Sequence, residues 1–412
     1  MKNNIIETVR NNLCTGCGIC EDICPTKSIS IERYNGEYRP YLDVNKCLGD
    51  KCGRCLKVCP GIGINLSAMS KEQYDSCKED KYIGRYYSIY IGYSLDDEIR
   101  YHSASGGLVS QFLIYLLEKK IIDGAVVTGF SDDKITPISY IARTKDEILN
   151  AKSSKYCPVA LNKVGNEIRK SEGKYVIVGL PCHIQGFRKR AKIDRQFSER
   201  VIGYFSIYCS SNRTFNAQDF LFKKYNVNKN NISFFAYRDN GCLGNMVIEQ
   251  KNQRREIPYI KYYGALRSFF KPRRCLTCID HYGELADVCF GDIHIKPYSE
   301  DKIGINSLIV RNPYFDNLLK KAAKEGYIYM NDLDAKTLNG SQKAMLYPKK
   351  RKAKAIMNID KFLFRKSPKY DVVLERPQMS DYISVFITNV QRYIGSHKCL
   401  WFIIDYFYKN RN

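Results

Sequence analysis

The sequence predicts an α+β protein in which a small cysteine-rich domain precedes a larger α/β domain with a mixed sheet and a basic helical C-terminal extension. Three observations support this prediction. Eight of the 17 cysteines lie between residues 14 and 59. Strand-like and helix-like segments then alternate over residues 86–330, as is typical of α/β domains. Lysine and arginine dominate the segment after residue 340.

The domain boundaries are placed where the composition changes. The cysteine-rich domain covers residues 1–66, a polar linker residues 67–85, the α/β domain residues 86–330 and the basic extension residues 331–412. The formal net charge of +23 indicates anionic partners. We expect no nucleic-acid binding, because the sequence has no aromatic and basic recognition motif and its lysines concentrate near the end. No apolar run reaches the roughly 18–20 residues that cross a bilayer.

The N-terminal cysteines form two blocks of similar spacing. The first reads C-x2-C-x2-C-x3-C-P, and the second repeats it with a longer first gap. In bacterial dicluster ferredoxins, the first three cysteines of a block bind one 4Fe–4S cluster and the fourth binds the other. The spacing therefore predicts two clusters, one held by Cys14, Cys17, Cys20 and Cys59, and one held by Cys24, Cys47, Cys52 and Cys55.

Zinc and disulfides are the alternatives for these cysteines. A zinc site uses two pairs of ligands around one ion, whereas each block here has a third cysteine in step and a closing Cys-Pro. Residues 1–10 are polar and lack the apolar core of a signal peptide. We therefore expect a reducing, cytoplasmic location, in which metal binding is favoured over disulfides.

Local patterns predict the elements around the blocks. Between them, alternating residues flank Asn35-Gly36, which predicts a β-hairpin with a type I′ turn. Further along, Ser103 or Ser105 is expected to cap a helix over residues 111–119, and the start of that helix would suit an anion. A cap without a ligand fits the same pattern. Residues 174–180 predict a strand that leads into Pro181-Cys182, a common position for ligand-binding residues in open α/β sheets.

Four further cysteines predict a third metal site. Cys275 and Cys278 form a C-x2-C pair, which needs two more ligands to complete a cluster. Cys182 and Cys209 both follow predicted strands, so they can lie at one edge of a sheet. The alternative is that Cys275 and Cys278 are only a reduced pair.

The C-terminal extension allows two interpretations. Apolar residues recur at roughly helical spacing over residues 385–408, after a run of lysines. The segment could form helices that lie on a membrane face, which would make the protein peripheral at the inner side of the membrane. It could instead be a solvated basic tail packed on the α/β domain, which is the more common origin of such charge runs.

These motifs together resemble the β subunit family of coenzyme F420 hydrogenases and dehydrogenases. The resemblance covers residues 1–310 and departs at Cys209, where the family often has Cys-His-Gly and this chain has Cys-Ser-Ser. Besides the cysteine blocks it includes residues 103–107, 153–156, 179–186, 207–209, 274–280, 286–287 and 291–292.

The resemblance implies FAD and a third 4Fe–4S cluster. By it, Ser105, Gly106 and Gly107 would contact the flavin phosphates, and Ser154, Lys155 and Tyr156 would line the same pocket. Pro181 and Cys182 would lie near the flavin or its neighbouring cluster. The expected ligands of that cluster are Cys182, Cys209, Cys275 and Cys278.

The expected function is that of an iron–sulfur flavoprotein oxidoreductase. It would move electrons between a two-electron carrier, such as an F420-like deazaflavin or another hydride donor, and 4Fe–4S clusters. His183 and His102 are candidate proton donors near the flavin, although lone histidines are more often structural. The alternative is a non-catalytic subunit that delivers electrons to a partner enzyme, as suggested by bacterial relatives in surface-polysaccharide contexts. Either function requires a redox partner protein.

Overall fold

The computed structural model describes residues 4–251 and 253–409. The helices in these ranges are α1 (Ile6–Arg10), α2 (Ile19–Asp22), α3 (Arg54–Lys57), α4 (Leu66–Gln73), α5 (Asp97–Tyr101), α6 (Leu108–Glu118), α7 (Lys145–Asn150), α8 (Val164–Lys170), α9 (Pro181–Ala191), α10 (Arg195–Arg200), α11 (Phe215–Lys224), α12 (Tyr259–Phe269), α13 (Pro313–Lys324), α14 (Ala335–Phe362), α15 (Met379–Ser396) and α16 (Trp401–Lys409). The strands are β1 (Ile29–Tyr34), β2 (Glu37–Leu42), β3 (Gly63–Ile64), β4 (Lys78–Asp80), β5 (Gly84–Tyr86), β6 (Ser88–Ser94), β7 (Gly124–Phe130), β8 (Pro137–Ala142), β9 (Tyr175–Gly179), β10 (Val201–Ile207), β11 (Ile232–Asp239), β12 (Asn245–Gln250), β13 (Gln253–Pro258), β14 (Val288–Asp292), β15 (Asn306–Val310), β16 (Ile328–Asp332) and β17 (Lys369–Tyr370).

The predicted hairpin is present in the cysteine-rich domain. Strands β1 and β2 pair antiparallel, with Tyr34 opposite Glu37. Asn35 and Gly36 both have positive φ, 48° and 76°. Two positive φ values define the type I′ turn, whose twist matches that of the flanking strands. The hairpin prediction is therefore confirmed.

A mixed eight-stranded sheet forms the centre of the larger domain, in the order β16-β6-β15-β14-β10-β9-β7-β8. The four adjacent strands β14, β10, β9 and β7 run parallel. The remaining neighbours pair antiparallel. Strand β9 is apolar on both faces because helices cover both sides of the sheet. The prediction of an α+β protein with a mixed sheet is confirmed.

The cysteine-rich domain packs on one face of this sheet. Its Ile19 and Val58 are fully buried in a core that also contains Ile177 of β9 and Ile184 of α9. Each such side chain contributes about 1.5–3 kcal/mol when it leaves water. The two domains therefore share one hydrophobic core.

A buried ion pair fixes this docking. Asp22 lies at the end of α2, and its carboxylate is 2.7 Å from a guanidinium nitrogen of Arg190 on α9, with both side chains fully buried. The same carboxylate accepts backbone N–H groups from Gly165 and Asn166, at 2.7 and 2.8 Å. Arg190 also pairs with Asp194. A buried carboxylate with this many donors specifies the orientation of the two domains.

Residues 67–85, which the sequence predicts as a linker, are folded in the structure. They form α4 and the β4–β5 pair. Tyr74 and Ile83 are buried, and the Tyr74 hydroxyl donates to the backbone carbonyl of Leu285 at 3.2 Å. The segment is therefore part of the interface between the domains.

The C-terminal extension is helical, as predicted, and it returns to the cysteine-rich domain. Strand β17 pairs parallel with β3, and Asp371 accepts the backbone N–H groups of Ser67 and Ala68 at the start of α4. Arg273, which precedes the C-x2-C pair, binds Asp360 of α14. In the described ranges, no helix combines the length and the apolar character needed to cross a membrane.

Replacing Asp22 tests whether the buried pair holds the domains together. The substitution Asp22→Asn leaves the charge of Arg190 less compensated in a buried position, so we expect the free energy of unfolding to fall by about 3 kcal/mol. The measurement is urea unfolding of the cluster-loaded protein, followed by circular dichroism. Glu199→Gln is the control, since the Arg195–Glu199 pair is exposed and is worth about 0.5 kcal/mol or less. Equal effects of the two substitutions would contradict the assignment.

Candidate redox site

The first cysteine group forms as the block spacing predicts. Burial and then the charge of Cys59 raise the pKa of the Cys17 thiol to about 11. The pKa of Cys20 is raised by burial and then by the neighbouring sulfurs of Cys17, Cys14 and Cys59. These mutual influences show that the four sulfurs lie close together. The backbone N–H of Gly16 donates to Cys14 Sγ at 3.4 Å.

The second group lies around a small cavity of about 320 Å³, which is lined by Cys24, Cys47, Cys52 and Cys55. Burial disfavours a thiolate at Cys24. Hydrogen bonds from Ser28 and Thr26 together outweigh this effect of burial, so the pKa of Cys24 is lowered. The fourth cysteine of each block thus lies with the first three cysteines of the other block. This exchange of the fourth cysteines between the two groups is typical of blocks that end in Cys-Pro.

The third set of cysteines is also brought together. Cys182 lies in the first turn of α9, Cys209 follows β10, and Cys275 and Cys278 lie around a short 3-10 turn. The pKa of Cys182 is raised by burial and then by the sulfurs of Cys17, Cys209, Cys275 and Cys278. The sulfurs lie near one another, although the described residues contain no group of three or more Cys, His, Asp or Glu side chains suited to a single metal ion.

Residues from distant parts of the chain hold the third group in place. Arg274 donates to the backbone carbonyls of Gly61 and Pro60, at 3.0 and 3.1 Å. Lys349 of α14 donates to the carbonyl of Cys209 at 2.7 Å. The backbone N–H of Asn212 donates to Cys275 Sγ at 3.4 Å, which favours the thiolate form. The site thus combines the cysteine-rich domain, the α/β domain and the extension.

The three cysteine groups adjoin one another in a row. Cys20 of the first group is close enough to Cys55 of the second for their charges to interact. Cys17 of the first group is likewise among the neighbours that raise the pKa of Cys182 in the third. The first group therefore lies between the other two.

An open cavity lies next to the third group. Its walls include Leu180, Ile207 and Asp292, at the carboxyl ends of the parallel strands β9, β10 and β14. Leu180 is two residues from Cys182, and Ile207 is two residues from Cys209. Open α/β sheets bind ligands at this edge.

The start of α6 forms one wall of this cavity. Its N-cap is Gly107, at φ 75°, a conformation that glycine adopts without strain. The capping prediction for Ser103 and Ser105 was wrong, because their hydroxyls donate to the backbone carbonyls of Ile99 and Ile305. The first amides of a helix have no acceptor within it, and that of Leu108 donates to Asn306 Oδ1, so an anion site at this wall stays a prediction.

Four of the eight predicted flavin contacts line the cavity. These are Ser105, Gly107, Ser154 and Lys155. The other four are absent from its lining, and these are Gly106, Tyr156, Pro181 and Cys182. A Cβ atom at Gly106 would come within 2.9 Å of the backbone nitrogen of Asn306, so this residue permits the close packing of α6 on β15.

Lys155 is a cation whose charge is sensitive to pH. Its Nζ donates to the carbonyl oxygens of Ala151 and Lys152, both at 2.6 Å, and of Ser153, at 3.2 Å. Burial lowers the pKa of Lys155 to about 7. Its ammonium therefore loses its proton within the physiological pH range.

Sequence reasoning missed an ion pair in the cavity wall. Arg238 of β11 lies 2.8 Å from Asp292 at the end of β14. Burial opposes the charge of Asp292, but Arg238, His294 and side-chain hydrogen bonds together outweigh the effect of burial and lower the pKa of this carboxyl. Asn306 was also missed, and it accepts the backbone N–H of Leu108 at 3.2 Å. Only Asp292 had a sequence signal, the Gly-Asp at the end of a predicted strand.

The two histidine candidates have structural contacts. His183 Nδ1 accepts the N–H of Leu180 and its Nε2 faces the carbonyl of Val159, both at 3.2 Å. Burial lowers the pKa of His183 to about 4, so the ring is neutral and both nitrogens are used by the backbone. His102 pairs with Asp239 at 2.8 Å and is absent from the cavity lining. These contacts do not support a proton-donor role for either residue.

The residues present fit the predicted cofactors. Twelve cysteines form three groups, and several of their sulfurs accept backbone N–H groups, which suits iron–sulfur ligation. The neighbouring cavity offers a helix start, a lysine and mostly apolar walls, which suits an isoalloxazine ring with phosphates.

Comparison with known proteins agrees with this geometry. The family model "Coenzyme F420 hydrogenase/dehydrogenase, beta subunit N-term" matches residues 89–165, and the corresponding C-terminus model matches residues 172–336. A 4Fe-4S dicluster domain model matches residues 13–61. The two beta-subunit models together cover more than half of the chain.

Two curated relatives show how much of the chain is matched. The chain is 26% identical to the coenzyme F420-dependent sulfite reductase of Methanocaldococcus jannaschii over 69% of its own length, but spans only 43% of that protein. It is 28% identical to the coenzyme F420 hydrogenase subunit beta of Methanothermobacter thermautotrophicus, covering 59% of this chain and 84% of that one.

A solved structure shares the fold. A chain in a structure of the F420-reducing [NiFe] hydrogenase complex from Methanosarcina barkeri superimposes with a TM-score of 0.56 at 20% identity, covering 71% of this chain and 98% of that one. The chain described here therefore belongs to the coenzyme F420 hydrogenase/dehydrogenase beta subunit family and carries an N-terminal 4Fe–4S dicluster domain.

Proposed function

We propose that this protein is an iron–sulfur flavoprotein oxidoreductase that exchanges electrons between a two-electron carrier and a redox partner protein. The observation that carries the proposal is the row of three cysteine groups that ends beside the cavity. A flavin bound there would supply the conversion of an electron pair into single electrons, and 4Fe–4S clusters accept electrons singly. An F420-like deazaflavin is the proposed carrier, with another hydride donor as the alternative.

The protein's own residues bind and orient the groups. The start of α6 binds the anionic part of the cofactor. The Lys155 ammonium, whose hydrogens are donated to three backbone carbonyls, adds positive charge to the same cavity. The apolar side chains of Leu113, Val127 and Val178 exclude water from the deeper wall. The Arg238–Asp292 pair closes the other side and fixes β11 against β14. Cys182, Cys209, Cys275 and Cys278 are the proposed ligands of the third cluster.

The direct experiment is an anaerobic absorption spectrum of the FAD-loaded, cluster-loaded protein. Bleaching of the flavin and cluster bands on addition of reduced F420, with NADH as a second donor, is the expected result. A protein that binds flavin but is bleached by neither donor would contradict the proposed carriers. A protein that carries clusters and does not bind flavin would overturn the flavoprotein assignment and favour a non-catalytic electron-transfer subunit.

Iron analysis tests the third cluster. Three 4Fe–4S clusters require about 12 iron atoms per chain, and we expect Cys275→Ser to lower the value to about 8 because a ligand is lost. The matched control is Cys399→Ser, at an exposed cysteine of the extension, which should retain the full iron content. Unchanged iron in Cys275→Ser would show that these cysteines bind no cluster.

The titration of Lys155 tests the flavin site without any turnover. A lysine with its pKa lowered to about 7 is charged below that pH and neutral above it. FAD affinity, measured by quenching of flavin fluorescence, should therefore weaken about tenfold between pH 6 and pH 8. The variant Lys155→Met should bind weakly at both values, while Lys155→Arg should bind tightly at both. A wild-type pH slope that persists in Lys155→Met would exclude this role.

A further inference from the structure

The outer face of α15 exposes apolar side chains where a surface helix usually exposes charged ones. Its exposed large side chains are all apolar. The helix has two charged residues, and neither lies on that face: Asp381 is buried against Arg351, and Arg392 donates to the backbone of Lys271. Surface helices of globular proteins normally expose charged side chains. The exposed apolar residues are Met379, Ile383, Phe386, Ile387, Val390 and Tyr393.

A second apolar feature lies at the end of α14. Phe362 is 82% exposed and Phe364 is 99% exposed, with Leu363 between them. We call residues 362–364 the aromatic tip. Lys361 precedes the tip and Arg365 follows it, so cations flank it on both sides. Fully exposed phenylalanines are costly in water, which indicates that another surface covers them.

The aromatic tip and the apolar face of α15 lie on two helices that pack together. Asn358 of α14 donates to the Tyr382 hydroxyl of α15 at 2.9 Å, and Ile356 packs with Val385. Arg351 of α14 pairs with Asp381 near the start of α15. The two features therefore belong to one region of the extension.

A basic groove borders the aromatic tip. Phe364 forms part of its wall. Asp360 is the one carboxylate among the described residues that line it, and this group is already bound to Arg273. The cations that line the groove are Arg10, Arg273, Arg365 and Lys366.

We infer that this region of the extension binds the surface of an anionic phospholipid bilayer. The aromatic tip and the apolar face of α15 enter the boundary between headgroups and acyl chains, and the basic groove receives lipid phosphates. Ten Lys and Arg residues lie between Lys343 and Lys369, against one acidic residue. Such an excess is attracted by an anionic leaflet. A second copy of the chain would bring the same positive charges into opposition.

Vesicle co-sedimentation of the full cluster-loaded chain tests this inference, and it does not depend on the proposed redox function. We expect the protein to pellet with phosphatidylcholine vesicles that contain phosphatidylserine, and to remain in solution with phosphatidylcholine alone. Raising the salt from 0.1 to 0.5 M should release it, because the attraction is partly electrostatic. Lys361→Gln with Arg365→Gln should weaken binding about 25-fold, since each cation contributes about fivefold.

A second double variant tests how much the apolar side chains contribute to vesicle binding. Phe362→Ser with Phe364→Ser should lower vesicle binding at least tenfold while the unfolding temperature stays unchanged, because these side chains are almost fully exposed in the folded chain. Tyr41→Ser, at an exposed aromatic of β2, is the matched control and should bind like the wild type. Equal binding to neutral and anionic vesicles would overturn the inference.

Two further outcomes would assign the region differently. If light scattering shows a dimer that the Phe362→Ser, Phe364→Ser variant abolishes, and no vesicle binds, the region is a contact between copies of this chain. If glycerol phosphate at millimolar concentration binds the groove while no vesicle pellets the protein, the groove is a site for soluble phosphates. Either result would exclude the bilayer as the occupant.

Discussion

The structure depends on the placement of many thiolate sulfurs in a dry interior. Burial and mutual repulsion both disfavour the charged form of these cysteines, most clearly at Cys20 and Cys182. The fold offsets this cost with nearby cations and with backbone N–H groups. Burial raises the pKa of Cys209 to about 12, and Lys349, which reaches the site from the C-terminal extension, partly opposes this effect. Part of the net charge of +23 therefore lies beside buried cysteine sulfurs within the protein.

Local patterns in the sequence were sufficient to predict those parts of the structure that depend on residues close together in the chain. The spacing of the cysteine blocks anticipated the grouping of eight sulfurs, and Asn35-Gly36 defined its hairpin. Residues 67–85 were read as a linker because they are mixed and polar. Their Tyr74 and Ile83 contact residues more than 100 positions away, namely Arg188 and Leu285 for Tyr74 and Arg311 for Ile83. No short window of sequence contains that information.

The same distinction applies to the candidate site. Ser105 and Gly107 were found because a helix start is a local feature, yet the identity of the capping residue depended on the carbonyls of Ile99 and Ile305. The Arg238–Asp292 pair joins residues 54 positions apart, so the pairing itself had no signal in the sequence, although Asp292 alone did. His183 was considered for proton transfer because it follows Cys182, whereas its nitrogens are used by the backbone.

The C-terminal extension contacts both the cysteine-rich domain and the candidate site of the α/β domain. Its inner side binds the redox site, through Lys349 at Cys209 and Asp360 at Arg273, and it pairs with the cysteine-rich domain through β17. Its outer side carries the apolar residues that a solvated tail would lack. A segment held this firmly cannot move away from the cysteine groups without breaking buried contacts. Whatever surface it binds, the row of cysteine groups is therefore held in a fixed orientation to that surface.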